Sequence, residues 1–228
     1  MKYMTINNRN VSFEDEKNVL DVIRKHGIEL PTFCYHSELS TYGACRMCVV
    51  EDDKGKIFAS CSEVPKDGMV IYTNTPKLQH HRKMILELLI ASHCTDCTTC
   101  RTNGDCILLK LANQLGVNYI RFENDKEQRE MDKTSNAIVF DANKCILCGD
   151  CVRTCSELQG VGVFEFVNRG YDMRVTTAFD RKLEDTNCVE CGQCRTVCPT
   201  GAITLKQNIH PVWKGLNDPN TKVIGMIA

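Results

Sequence analysis

The sequence predicts an α+β chain of small modules stapled together by metal, not one domain built on a single large core. Sixteen cysteines fall within 228 residues, and they stand in four groups, two of which repeat one spacing. Between the groups, short apolar runs broken by turn residues fill the first third of the chain, and two helical stretches follow. A chain of this length has room for one or two ordinary domains or several small ones held by cofactors, and the cysteine density selects the second arrangement.

The rest of the composition excludes several classes. With 43% hydrophobic and 25% charged residues and a formal net charge of -1, neither a nucleic-acid binder nor a polyanionic tail is indicated. The opening MKYMTINNRN carries no apolar h-region and no twin arginine, and no run approaches a membrane span. A reducing cytoplasm is the expected location, because thiolates there stay available for metal.

Residues 1–75 read as a β-rich module. Tyr3 to Ile6 and Val11 to Phe13 form a hairpin across the polar turn Asn7 to Asn10, and Asn18 caps a helix from Val19 to His26 that Gly27 ends. Val49 to Glu51, Ile57 to Ser60 and Met69 to Tyr72 supply further strands, in the manner of a β-grasp fold. Among them Cys34, Cys45, Cys48 and Cys61 are spaced C-x10-C-x2-C-x12-C. The central C-x2-C and remote last cysteine match the plant-type 2Fe-2S pattern, although the first gap is longer. Tyr42-Gly43-Ala44 puts small residues where backbone N–H groups could approach sulfide. Zinc would suit these four thiols taken alone; their small β setting favours 2Fe-2S.

Residues 76–136 read as a helical knuckle with a connector. Thr75-Pro76 is an N-cap and N1 pair opening a helix with Leu78, Ile85, Leu88 and Leu89 on one face. His80 and His81 are read as solvent-side or helix-packing residues, not ligands, because nothing chelating lies at helical spacing from them. The helix runs into His93, Cys94, Cys97 and Cys100, and Cys106 opens a second helix through Ile107, Leu108, Leu111 and Leu115 to Gly116. This is a metal knuckle between two helices, in which Cys94-x2-Cys97-x2-Cys100 with remote Cys106 makes one all-thiolate ligand set. Residues 117–136 are charged and turn-rich, a surface connection.

Residues 137–206 hold the strongest signal. C-x2-C-x2-C-x3-C occurs at Cys145, Cys148, Cys151 and Cys155, and again at Cys188, Cys191, Cys194 and Cys198. Three cysteines at that interval wrap three corners of a 4Fe-4S cube while the fourth points away and, in two-cluster ferredoxins, ligates the other cube. Cys145, Cys148, Cys151 and Cys198 are thus assigned to one cluster, and Cys155, Cys188, Cys191 and Cys194 to the other. Paired zinc knuckles would leave the third cysteine of each triplet without a role, and thiols so dense cannot all meet disulfide separations. Val161 to Val167 and Met173 to Thr177 read as an inserted hairpin, and Gly160-x-Gly162 as a turn. Residues 207–228 are expected to be a turn-rich tail ending in an apolar strand, Lys222 to Ala228, and to contact a partner.

Taken together, Gly43-Ala44-Cys45-Arg46-Met47-Cys48, Cys97-Thr98-Thr99-Cys100 through Cys106, Lys144-Cys145-Ile146-Leu147-Cys148 and Cys198-Pro199-Thr200-Gly201-Ala202 resemble the N-terminal iron-sulfur region of iron-only hydrogenases and of the complex I large iron-sulfur subunit. The resemblance covers about residues 1 to 206. It implies His93, Cys97, Cys100 and Cys106 as the knuckle's ligands, with Cys94 as the alternative to His93. It further implies one 2Fe-2S and three 4Fe-4S clusters, a flavin-bearing NADH-oxidising partner subunit, a thioredoxin-like 2Fe-2S subunit, and ferredoxin.

In iron-only hydrogenases a catalytic domain follows, and Lys222 to Ala228 resembles its first strand; no flavin or nucleotide motif occurs in these 228 residues, so flavin and NAD(P) are expected only on partner chains and no catalytic site on this one. The expected function is electron relay within an NAD(P)H–ferredoxin oxidoreductase complex, of which electron bifurcation is one form. Two rivals are the input arm of an iron-only hydrogenase or formate dehydrogenase with its catalytic domain elsewhere, and a free ferredoxin-like carrier. Size and near-neutral charge weigh against the carrier.

Overall fold

The computed structural model describes residues 1–123 and 127–226. Strands β1 (Lys2–Ile6) and β2 (Arg9–Phe13) pair antiparallel, with Ile6 opposite Arg9. The turn is therefore two residues shorter than expected. Asn7 and Asn8 make it, both at positive φ (51° and 64°), the conformation that matches strand twist and that asparagine tolerates. Strands β3 (Val49–Asp52), β4 (Ile57–Ala59) and β5 (Val70–Tyr72) complete a sheet of order β2-β1-β5-β3-β4, in which β5 runs parallel to β1. Helix α1 (Val19–Lys25) covers one face. The Asn18 carboxamide oxygen accepts from Asp21 N at 3.0 Å, capping it. Its Leu20, Val22 and Ile23 pack with Met4, Ile6, Phe13, Val50 and Ile71 in a closed core.

Helix α2 (Pro76–Ala91) starts at the expected cap, Thr75 Oγ1 accepting from Leu78 N at 3.2 Å. Its buried stripe differs from the expected one. Leu78, Arg82 and Leu86 face inward, Ile85 and Leu89 are half-buried, and Leu88 is exposed. The i, i+4 row runs through a charged residue, Arg82, which hydrophobic patterning passes over. Helix α3 (Ile107–Gln114) lies against α2, and Leu86, Leu108, Leu111 and Ala112 join Phe33, Met47 and Ile146 in a second core. That core belongs to all three predicted modules at once.

In the third module the strands β6 (Ile138–Phe140) and β9 (Ile203–Leu205) pair antiparallel and tie its two ends together. One-turn helices α4 (Asp150–Arg153) and α5 (Gln193–Thr196) begin at Gly149 and Gly192 (φ 77° and 72°), immediately after Cys148 and Cys191. The β7 (Phe164–Val167) and β8 (Arg174–Thr177) hairpin is present. Val161 to Val163 lie outside it, and Val163 N donates instead to Cys155 Sγ at 3.2 Å. The connector is more than a surface strap: Asp132 forms a bridge with Phe140, its carboxylate accepts from Leu183 N at 2.9 Å, and Ser135 is buried.

The tail departs most from expectation. Helix α6 (Ile209–Asn217) occupies the stretch expected to be turns, and residues 222–226 form no strand; Ile227 and Ala228 lie outside the described residues. Two helix breakers, Pro211 and Gly215, mask the apolar residues at helical spacing around them. Pro211 falls in the first turn, where its missing N–H costs nothing. No helix among the described residues is long and apolar enough to cross a membrane.

Candidate functional site

The first cysteine group lies in the loops between α1 and β3 and after β4. Cys34, Cys48 and Cys61 are each 1% exposed, and Cys45 is buried beside them. Backbone donors point at sulfur: Cys45 N reaches Cys34 Sγ at 3.3 Å and Phe33 N reaches Cys45 Sγ at 3.4 Å. Gly43 and Arg46 hold positive φ (69° and 54°), and this reversal wraps the Cys45 loop around the thiols. The Cys34 thiol draws Cys45 down to about 6, and Cys61 draws Cys48 down to about 7, while Cys34 and Cys61 are pushed up in turn. In each pair one thiol releases its proton more readily and the other holds it, and a metal bound there would displace both protons to solvent.

Crossing the module boundary, Arg153 NH2 donates to Cys34 O at 3.0 Å and its NH1 donates to Ser40 O. Its guanidinium pairs with Asp150 and lies 5.4 Å from the centre of the Tyr42 ring, which in turn stacks on Phe166. Burial lifts Asp150 to about 7 against the pull of Arg153. Neither residue is legible as functional in the sequence, since an Asp-x2-Arg on a one-turn helix carries no signal until the Cys34 loop is seen above it.

The tandem groups ring two separate cavities. One is lined by Cys145, Cys148, Cys151 and Cys198 with Pro199, the other by Cys155, Cys188, Cys191 and Cys194. The chain thus brings the last cysteine of each run to the first three of the other. Burial, then neighbouring sulfurs, pushes Cys194 up to about 12, and burial lifts Cys148 and Cys151 as well. Protonated thiols packed this way gain little from one another; thiolates shared with iron remove the penalty.

In the knuckle, a cavity of about 350 Å³ is lined by His93, Cys97 and Cys106 together with Ile90 and Leu108. His93 Nδ1 is buried without a hydrogen-bond partner, an orphan that a metal would satisfy. Burial holds its pKa below the usual histidine value, keeping the imidazole neutral as a ligand must be. Neither Cys94 nor Cys100 lines this cavity; Cys94 N–H donates to Asn143 O at 2.8 Å. Cys100 Sγ is 3.2 Å from Thr102 Oγ1 and packs against Gly201 of the third module. Among the described residues no three Cys, His, Asp or Glu side chains close on one point as a single-ion site would have them. His80 and His81 are exposed on α2, which selects the solvent-side reading.

Known protein families match along the chain in the same order as the cysteine groups. Residues 3–76 match the 2Fe-2S iron-sulfur cluster binding domain, residues 82–121 the NADH-ubiquinone oxidoreductase-G iron-sulfur binding region, and residues 144–202 the 4Fe-4S dicluster domain. The class is therefore a multi-cluster iron-sulfur protein. A crystal structure of NAD+-reducing [NiFe]-hydrogenase contains a chain that is 32% identical and superposes with a TM-score of 0.83, over 90% of this chain and 87% of that one. The NADP-reducing hydrogenase subunit HndD of Solidesulfovibrio fructosivorans is 34% identical over 100% of this chain and 40% of its own length. The NADH-ubiquinone oxidoreductase 75 kDa subunit of Reclinomonas americana is 36% identical over 82% of this chain and 27% of its own. The chain belongs to the family of iron-sulfur subunits built on the N-terminal region of complex I-like and hydrogenase-like large subunits. It spans well under half the length of those two curated relatives.

Proposed function

We propose that this chain is an electron-relay subunit carrying one 2Fe-2S and three 4Fe-4S clusters between a flavin-bearing, NAD(P)H-oxidising partner and ferredoxin or another redox site. The observation that carries the reading is the convergence of two sequence-distant cysteine runs on two cavities, each ringed by three cysteines of one run and the last of the other. Such clusters, once bound, supply one-electron steps. The protein's part is to ligate them, exclude water and hold them close.

The ligand sets proposed are Cys34, Cys45, Cys48 and Cys61; His93, Cys97, Cys100 and Cys106; Cys145, Cys148, Cys151 and Cys198; and Cys155, Cys188, Cys191 and Cys194. The orphaned His93 ring nitrogen supports His93 over Cys94. Contacts among the sites supply an order. Cys45 and Cys148 belong to one buried cluster, Cys100 meets Gly201 three residues after Cys198, and Cys151 and Cys194 share the core of the third module. The Cys145 site thereby adjoins the other three and acts as the junction. Domain limits of 1–75, 76–136 and 137–206, with a partner-contacting tail at 207–228, follow from the same groups. The exposed Ile209, Val212, Trp213 and Leu216 of α6 support the tail's role. A thioredoxin-like 2Fe-2S subunit, a cytoplasmic setting and a bifurcating complex accord with this assignment.

Because the chain offers no flavin site in its own motifs, the isolated protein is expected to accept electrons from dithionite but not from NADH. Dye reduction with NADH alone, by a preparation proven free of partner chains, would contradict the reading. Metal analysis after anaerobic preparation should find about fourteen irons per chain, two plus three times four. Co-purifying chains with flavin, and no hydrogen-activating or molybdenum centre, separate a relay of this kind from a hydrogenase or formate dehydrogenase input arm.

Gly201 offers a structural test of the junction. A Cβ there would stand 2.8 Å from Cys100 Sγ and 3.0 Å from Thr102 Oγ1, so the Cys100 side chain or the Gly201 turn must shift. Gly201→Ala is expected to destabilise by roughly 1–3 kcal/mol and to lose iron from the knuckle first. Retention of all four EPR signals at native intensity would show that the contact is slack.

A further inference from the structure

Arg82 is a buried cation without a carboxylate. It is 5% exposed, and its guanidinium donates to three backbone carbonyls: Nε to Met47 O at 3.1 Å, and NH2 to Val49 O at 2.7 Å and to Thr73 O at 2.8 Å. Among the described residues it has no ion pair, whereas the other buried arginine, Arg153, has Asp150. A guanidinium does not deprotonate in proteins, so its charge must be met where it stands. The two carbonyls it grips at Met47 and Val49 are those on either side of Cys48.

We propose that Arg82 is the fixed countercharge of the 2Fe-2S centre, a positioning residue that clamps the Cys48 loop from α2 and sets the centre's reduction potential upward. The inference rests on the reading that Cys34, Cys45, Cys48 and Cys61 hold that centre. Reduction adds one electron, hence one negative charge, to a group already anionic through its thiolates. A cation buried against one ligand favours the reduced state, and burial keeps solvent and salt from screening it. Arg153, which grips Cys34 O, differs in being paired with Asp150. Helix α2 leads directly into the knuckle, so this one residue also links the geometry of the two modules.

The test is an EPR-monitored redox titration of the full, iron-loaded chain carrying Arg82→Lys, Arg82→Gln or Arg82→Met. The neutral variants are expected to lower the midpoint of the 2Fe-2S signal by at least the equivalent of a tenfold change in the reduced-to-oxidised ratio, about 59 mV for one electron. Arg82→Lys, which keeps charge but not the fork, should retain most of the native potential. If neither neutral variant assembles the centre while Arg82→Lys does so near the native potential, the charge requirement is likewise supported. An unshifted midpoint in Arg82→Gln or Arg82→Met, or a Lys variant that shifts or fails as far as the neutral ones, reduces Arg82 to a fold clamp and overturns the proposal. A native chain with no 2Fe-2S signal would instead reject the cluster assignment beneath it.

Discussion

Replacing Cys198 with alanine is expected to remove about four of about fourteen irons, and to take them from the site built on Cys145, Cys148 and Cys151. In the sequence Cys198 lies four residues after Cys194 and 47 after Cys151, so a reading by proximity would assign it to the wrong cluster. The pairing of β6 with β9 carries it across: Ile203 sits opposite Phe140, and Thr200 Oγ1 donates to Lys144 O at 2.8 Å. Those contacts hold the Cys198 loop above the first triplet. Cys155→Ala should have the mirror effect, depleting the site of Cys188, Cys191 and Cys194. Spectroscopy that resolves the clusters checks both variants, and loss of the Cys188 site in Cys198→Ala would reverse the crossover. Each variant is also expected to destabilise the module by several kcal/mol, since metal binding to thiolates is a large share of folding free energy in such small cores.

At the knuckle, His93→Ala is expected to abolish or make labile one 4Fe-4S centre, while Cys94→Ala leaves it in place. His93 Nδ1 is the orphan in the buried wall of that site. A neutral imidazole in place of a thiolate leaves the cluster one charge less negative, which raises its potential. His93→Cys should accordingly load iron but titrate at a lower potential than the native centre. Loss of the signal in Cys94→Ala with retention in His93→Ala would transfer the ligand role to Cys94, and an unchanged midpoint in His93→Cys would argue against imidazole ligation.

The sequence by itself determined the four cysteine groups and the iron-sulfur domains they mark, because iron-sulfur spacing is a local property. Three thiolates at every third residue on a tight loop present three directions whatever surrounds them, and C-x2-C-x2-C-x3-C can be read twice without any knowledge of the fold. It also determined the helices at Asn18 and Thr75, where a single side chain caps the backbone, and the first hairpin, though not that its turn is Asn7 and Asn8 alone. It misleads at α6, where Pro211 and Gly215 outweigh the apolar spacing around them in any local pattern. What only the tertiary structure decided are relations between distant residues. The burial of Arg82 depends on three carbonyls contributed by β3, the turn after β5 and the Cys48 loop. The Arg153 clamp needs the Cys34 loop laid over α4, and the adjacency of the Cys145 site to the other three needs one shared core from all the modules. Side chains of ordinary composition became significant there through what they were placed against, and no local pattern encodes that placement.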